Sequence, residues 1–402
     1  MPYAQVGKVT DDGMMRVLHH GIVEVNIPAR KLAEEAPVYT REVSEPPLDS
    51  EIMIEEVEYP DLHVSLLELL RHPTIASKNW VYEQYDHTVR AGTIVPPGSD
   101  AAVFFVREAG KFLAATCDCN SLFCRSNPRR GAQAAVAEAA RNLVCSGAVP
   151  LALTDNLNFG NPYRPQSFWQ LRESVEGIAE ACRKFRIPVT GGNVSLYNES
   201  PAGAIDPTPT VGMVGLIDDE HWITSQHFKS QGDLIALLGP PGYEIGSSHY
   251  LKVIHGLERG APPKLDYDLE ISVQSLLQKL IRAGWIKSAH DCSEGGLAVS
   301  VAECCISGAQ KLGATIQLPE SSERFDVLLF NESHSRVVLT LDPNDWAVVL
   351  DLASGVPVTR LGMVGGTSLT ISAGESTMSW GLDELYESWY LSVWQAMSAL
   401  DL

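Results

Sequence analysis

Phe168, Leu171, Val175, Ile178, Cys182 and Phe185 recur at steps of three and four, the period of a helix that buries one face. Ser167 followed by Gln170 reads as a capping box that opens it. The run lies between two strand-like segments, LALT from Leu151 and IPVT from Ile187, each followed by a polar, glycine-bearing word, DNLNFGNP and GGNVSLYNE. Strand, helix and strand within about forty residues predict a right-handed βαβ crossover with parallel strands and both polar words as loops at their carboxyl ends. Ligands bind α/β sheets at those ends. Asp155, Asn156, Asn158, Gly191, Gly192, Asn193 and Ser195 are then expected to converge on one crevice. A carboxylate, amide oxygens, a hydroxyl and unobstructed N–H groups suit a magnesium nucleotide. The same residues also serve ordinary turns, and spacing alone does not choose.

The pattern extends along the chain. Leu62 to Leu70 predicts a short helix. AAVFFV and KFLAAT (Ala101–Val106, Lys111–Thr116) predict a hairpin about Glu108, Ala109 and Gly110. An alanine-rich helix is expected from Ala132 to Ser146, ending at Gly147. DLIALLG (Asp233–Gly239) reads as a strand entering a Pro-Gly loop. Helices follow near Ser247–His255, Ile271–Ala283 and Gly295–Ser307, each closed by glycine. SRVVLTL (Ser335–Leu341) reads as a buried strand, and Leu382–Leu400, with Tyr386, Trp389, Tyr390 and Trp394, as a terminal amphipathic helix. His19 and His20 read as a surface pair.

Composition narrows the function classes. At 402 residues, 45% hydrophobic and 20% charged, the chain can form two or three cores. Its 30 Lys+Arg against 50 Asp+Glu give a net charge of −20, which repels nucleic acid and anionic membranes and fits a cytoplasmic protein. No apolar run spans a membrane, and MPYAQVGKV lacks signal-peptide design. Eight scattered cysteines are not a secreted disulfide framework. Cys117, Cys119 and Cys124 lack a nearby fourth ligand and fit zinc poorly. No Walker-type word occurs; GPPGYEIGSS (Gly239–Ser248) has no lysine.

The words VTDDG (Val9–Gly13), EEAPVY (Glu34–Tyr39), AVAEAARNLVCSGAVPLALTDNLNFGNP (Ala135–Pro162), TGGNVSLYNE (Thr190–Glu199), PTPTVGMVGLI (Pro207–Ile217) and HDCSEGGLAVSVAE (His290–Glu303) occur in the order seen in one family. From about Val6 to about Ile371 the chain resembles the C-terminal half of the phosphoribosylformylglycinamidine synthases, or formylglycinamide ribonucleotide amidotransferases, of the small-subunit type. They belong to the aminoimidazole ribonucleotide synthetase-like superfamily. The resemblance implies an α/β (α+β) fold: a ferredoxin-like A domain that forms a barrel on pairing, and an α/β B domain. It places a remnant of a preceding B domain at 1–45, a linker with a short helix at 46–78, the A domain at 79–224 and the B domain with its terminal helix at 225–402.

The resemblance also implies roles. Asp155 and Gly192 contact ATP, Asn193 holds magnesium, and Ser195 contacts the ribonucleotide substrate. The family's histidine-rich catalytic word belongs to the N-terminal half, so no catalytic residue is expected here. The implied reaction joins ammonia from glutamine to formylglycinamide ribonucleotide at the expense of ATP. Implied partners are the N-terminal half, a glutaminase subunit and a small accessory subunit. Pairing of A domains implies a homodimer for the isolated chain. An auxiliary nucleotide site related by pseudo-symmetry would use VPPGSDAAV, with Asp100 near its cation. His290, Asp291 and Glu294 read either as an anion-receiving helix start or, preferred, as structural capping. LFNESHSR (Leu329–Arg336) resembles the family's G-E-S-Q word, but Asn331 and His334 depart from it, so no substrate role passes to Glu332, Ser333 or His334. Two alternatives stay open: a non-catalytic assembly module, and a sister ATP-dependent synthetase or kinase of the superfamily.

Overall fold

A computed structural model describes residues 2–47 and 51–399. Part of the expected linker, residues 48–50, and Leu400 at the end of the expected terminal helix lie outside the described residues. The chain divides into Met1–Glu42 and Val43–Leu402.

The first unit is an antiparallel hairpin, β1 (Met14–His19) and β2 (Ile22–Pro28), followed by helix α1 (Ala29–Ala33). His20 and Gly21 make the turn with φ of 50° and 81°, so glycine carries the left-handed position that side chains resist. Both histidines are exposed, and so are Val17, Leu18, Ile22 and Val23. None of the described residues of this unit is buried.

The second unit opens with α2 (Leu62–Arg71), started by Asp61, whose carboxylate accepts the His63 and Val64 N–H groups. Its buried Leu66, Leu69 and Leu70 join a core with Ile235, Leu297 and Trp380, so the helix expected within a linker is docked by its apolar stripe. After α3 (Asn79–Tyr82) come the strands of the first sheet: β3 (Thr93–Val95), β4 (Ala102–Val106), β5 (Lys111–Asp118), β6 (Val149–Asn158), β7 (Val189–Ser195) and β10 (Thr208–Ile217). Their order is β3-β4-β5-β10-β6-β7, antiparallel except for the β6/β7 pair. Two short strands, β8 (Glu199–Ser200) and β9 (Gly203–Ala204), form a lip between β7 and β10.

Helices α4 (Ser121–Ser126), α5 (Pro128–Cys145) and α6 (Pro165–Phe185) belong to this sheet. Pro128 is pre-set for the first turn of α5, and the Asn127 side chain accepts the Arg130 N–H. Ala132, Ala139, Leu143, Ile178 and Ala181 cover Val103, Ala114, Leu153, Leu157, Val211 and Met213. Among the described residues no helix of this unit covers the opposite face of the sheet, where Phe104 and Val214 are exposed.

Two expectations for α6 are corrected. It begins at Pro165, after Arg164 with no side-chain cap, because proline already sets the first helical φ. Its buried stripe runs through Ser167, Ser174, Gly177, Ile178, Ala181 and Cys182, while Val175 faces solvent. Small residues win this face because α5 lies close: a Cβ on Gly177 would come within 2.4 Å of the Arg129 carbonyl oxygen.

The second sheet comprises β11 (Leu234–Leu238), β12 (Ile286–Asp291), β13 (Ala314–Gln317), β14 (Val337–Leu341), β15 (Val358–Val364), β16 (Ser368–Ala373) and β17 (Ser376–Gly381), in the order β12-β14-β11-β15-β13-β16-β17. Every residue of β11 and β14 is buried, as continuous apolar strands require when both faces are covered. On one side lie α8 (Tyr267–Arg282) and α11 (Trp346–Ala353). On the other lie α2, α7 (His249–His255), α9 (Gly296–Ile306), α10 (Phe325–Phe330) and α12 (Leu382–Tyr390). The expected single terminal helix is two: α12 stops before Leu391, and α13 (Ser392–Ser398) follows. At the break the Ser392 hydroxyl donates to the Ser388 carbonyl, a back-bond that bends helices.

One ion-pair network joins the two sheets. Arg141 of α5, 1% exposed, forks onto both carboxylate oxygens of Asp291 at the end of β12 and donates to Glu270 of α8 at 2.9 Å. Gln274 and Ser335 also donate to Glu270, at 2.8 and 2.6 Å. Replacing Arg141 by methionine keeps the length but strands two buried carboxylates. The expected loss is about 3–5 kcal/mol, read as a lower urea midpoint; a loss under about 1 kcal/mol, the scale of an exposed pair, would show that the network adds little.

Candidate functional site

The D-N-L-N and G-G-N-V-S words are strand, not loop. They form β6 and β7, where Asp155 pairs with Gly192, Asn156 with Asn193 and Asn158 with Ser195 in parallel register. The glycines stand on an edge strand exposed at six of its seven residues, so the ladder runs through them and no turn is needed. Alternation then divides the expected cluster between two faces. Asn156 and Asn193 share the open face, with Asn193 Nδ2 donating to Asn156 Oδ1 at 3.0 Å. Asp155 points the other way, alongside Leu153 and Leu157, and its Oδ1 stands where a Gly192 Cβ would fall within 2.3 Å. Burial raises the Asp155 pKa. The Ser195 hydroxyl meets Asn198 Oδ1 at 3.3 Å, and Asn198 Nδ2 also donates to the Ser195 and Phe159 carbonyls. The structure therefore places Asp155 and Gly192 together, and Asn193 and Ser195 together, on opposite sides of one strand pair.

Asp100 lies elsewhere, in a cleft of about 500 Å³. Its walls come from the segment after α2, the PPGSD loop before β4, the end of β5, α5, the end of β12, α9 and α12. The cleft is acidic, lined by Asp100, Asp118, Glu138, Asp291, Glu294 and Glu303, with His290 and Lys78 as its cations. Asp100 accepts the Asp291 N–H at 2.8 Å and faces His290 Nδ1 at 3.1 Å. His290 Nε2 meets Glu303 at 3.0 Å. Burial alone would depress the histidine, but Asp100 and Glu303 raise it well above its usual range. With a carboxylate at each ring nitrogen, the ring is an imidazolium, the only form that donates from both.

Of the remaining carboxylates Asp291 is paired with Arg141, and Asp118, Glu138 and Glu294 make no ion pair among the described residues. Burial, with the nearby Asp291 and Glu294 charges, pushes Asp118 up to about 8, despite hydrogen bonds from Asn142 (2.8 Å) and Thr116 (3.0 Å). Burial raises Glu138 and Glu294 as well. A site that stores protons on several carboxylates is one where a divalent cation can replace them. Among the described residues no group of three or more Asp, Glu, His or Cys is placed to hold a metal ion by itself. A cation here would keep waters or ligand oxygens, as magnesium commonly does.

Sequence reading found Asp100 and weighed His290, Asp291 and Glu294, but missed Asp118, Glu138 and Asn142. The available signal was in α5: Glu138, Arg141 and Asn142 fall at one helical spacing in a run of buried alanines, and such a helix carries charge only toward partners. The LFNESHSR word is structural. Glu332 accepts the His249 and Gly295 N–H groups at 2.8 and 2.9 Å, and Ser333 accepts those of Tyr243 and Glu244 at 3.1 and 3.0 Å.

Two sheets joined through a long alanine-rich helix, with an acidic cleft at their junction, are the features against which the comparisons stand. The chain belongs to the AIR synthase related proteins: their N-terminal domain matches residues 98–217 and their C-terminal domain residues 230–372. Within that family it is similar to the phosphoribosylformylglycinamidine synthase subunit PurL of Moorella thermoacetica, 46% identical over 395 residues, 96% of this chain and 54% of that protein. The chain thus spans about half the length of the curated relatives it matches. Three solved structures share the fold. T. maritima PurL complexed with FGAR has a TM-score of 0.65 at 16% identity, covering 81% of this chain and 54% of that one. T. maritima PurL complexed with ATP has 0.59 at 17%, covering 80% and 52%. PurLQS from Thermotoga maritima has 0.57 at 21%, covering 89% and 50%. The mixed α/β fold of two such domains is the one the sequence resemblance implied.

A carboxylate raised by folding favours the folded state below its unfolded pKa and withdraws that contribution as pH rises toward the folded value. Asp118 therefore weakens the fold progressively between about pH 4 and pH 8. Asp118→Asn, which cannot ionise, is expected to gain in urea midpoint over the parent chain as pH goes from 5 to 8. Parallel profiles would show that Asp118 does not titrate in that window.

Proposed function

We propose that this chain supplies the C-terminal-half part of a phosphoribosylformylglycinamidine synthase, an ATP-dependent C–N ligase of purine biosynthesis, and is incomplete alone. The observation that carries this reading is the exposure of the resemblance-bearing words. Asn193 and Ser195 stand on the open face of edge strand β7, and Asp155 and Gly192 on the other side of the same strand pair, an arrangement read here as half a site. A separate N-terminal half would bring the catalytic word and cover that face. The PurL complexes with FGAR and ATP favour a ribonucleotide substrate and ATP for the assembled protein, and the PurLQS assembly favours companion subunits, read as the glutaminase and the small accessory subunit.

In this reading Asn193, whose Nδ2 donates to Asn156, would be the residue that offers an amide oxygen to a magnesium ion. Magnesium neutralises charge on a transferring phosphoryl group. Gly192 leaves room for the Asp155 carboxylate, which stands where its Cβ would be, and the two are read together as the ATP contacts of this strand pair. The Ser195 hydroxyl can instead accept from Asn198 Nδ2 at 3.2 Å, an arrangement that leaves its single proton for an anionic oxygen. The acidic cleft at Asp100 is the auxiliary nucleotide site: Asp100, Asp118, Glu138 and Glu294 fit a polyphosphate only when cations intervene, because bare carboxylates repel it.

The open sheet face also favours pairing of two copies when the N-terminal half is absent. A dimer is expected by light scattering at micromolar concentration, weakened by Val214→Lys; a monomer would overturn the pairing. For the reaction, the chain with formylglycinamide ribonucleotide, magnesium ATP and ammonia is expected to form no amidine, and to form it after reconstitution with a relative's N-terminal half. Asn193→Ala should then abolish product. Turnover by the isolated chain would overturn the incomplete-site reading.

A further inference from the structure

Residues beyond 372 fall outside the matched domains, yet α12 reaches the acidic cleft. Trp389, 7% exposed, lines it. Its indole Nε1 donates to Glu303 Oε1 at 2.9 Å, and the other oxygen of Glu303 faces His290 at 3.0 Å. His290 in turn faces Asp100 at 3.1 Å, and Asp100 takes the Asp291 N–H at 2.8 Å. One unbroken hydrogen-bonded chain thus runs from the terminal helix through α9 and β12 to the PPGSD loop. The backbone reinforces it: the Trp389 carbonyl accepts the Ser77 N–H at 3.0 Å, and Tyr390 donates to Glu83 at 3.2 Å. The helix therefore also holds the segment that forms the opposite rim.

We infer that α12 is the closing wall of the acidic cleft, and that Glu303 and Trp389 are positioning residues coupling this helix to Asp100. A cation drawn to Asp100 competes with His290 for the same carboxylate oxygens. Whatever His290 loses there shifts it against Glu303, and Glu303 passes it on through Trp389, its other side-chain hydrogen-bond partner among the described residues. Occupancy of the cleft is then felt as a change in how firmly α12 is held. The ligand, a magnesium-bound nucleoside polyphosphate, rests on the auxiliary-site reading above; the coupling is a property of the protein alone.

Hydrogen exchange of the full chain separates the two. Asp100→Asn weakens the far end of the chain without touching α12, and is expected to speed exchange of the 382–391 amides about threefold or more. Glu303→Gln, which preserves shape, should do the same and stands in if Asp100→Asn fails to fold by circular dichroism. Magnesium ADP is expected to slow exchange of 98–102, 290–296 and 382–391 in the parent chain, and to leave 382–391 unprotected in Glu303→Gln. If both variants exchange like the parent over 382–391, the coupling is overturned, whatever the nucleotide does. If the variants loosen α12 but magnesium ADP protects no segment, the coupling stands and the auxiliary-site reading falls.

Discussion

A single buried guanidinium sets the relation between the two halves of the described core. Arg141 belongs to the helix that covers the first sheet, while Asp291 and Glu270 belong to the second. None of the three could remain charged in the interior alone, because removing an ion from water costs several kcal/mol. Each is tolerable only where the others are, so their mutual position fixes how α5 lies across β12 and α8. Val144 and Cys145, one turn further, then meet Leu276, Leu280 and Leu339 in a common apolar cluster. The network also sets the character of the cleft: it neutralises Asp291, leaving Asp118, Glu138 and Glu294 as the groups whose protons are exchangeable for something else.

The architecture was largely legible from periodicity. The hairpin of β4 and β5, the parallel β6/β7 pair around α6 and the buried strands β11 and β14 follow from residue type and spacing, because each is decided by local propensity and one burial choice. What was not legible depended on contacts between distant segments. The register of β6 against β7 decides that Asp155 and Asn193 face apart, and no feature within either word announces it. The buried side of α6 is selected by the close approach of α5, which favours Ser174 and Gly177 over the larger Val175. The cleft draws Asp100, Asp118, Glu138, Glu294 and Glu303 from five segments; the sequence singled out Asp100 and Glu294 separately, and nothing in either word says that they meet.

The two faces of the first sheet are consequently unlike in finish. One meets helices, closes around charge and satisfies its donors internally. The other offers amides, a hydroxyl and apolar side chains to whatever covers it. Resemblance pointed to the unfinished face and physical chemistry to the finished one. Both conclusions hold together if the chain works as part of a larger assembly in which each half lends the other a surface.

Strand β7 has a further consequence for the molecule in solution. Its outer edge carries hydrogen-bonding groups without a strand neighbour, and neither charge nor proline blunts TGGNVS, the usual protections of an edge. Pairing at this edge is opposed by the net charge of −20, acting over a Debye length of about 10 Å at 0.1 M salt. Edge pairing acts only at contact. The two forces therefore occupy different ranges: added salt removes the outer barrier and leaves the inner attraction intact. The guard on this strand is therefore the repulsion between like-charged copies, which counterions weaken, and nothing in TGGNVS itself replaces it.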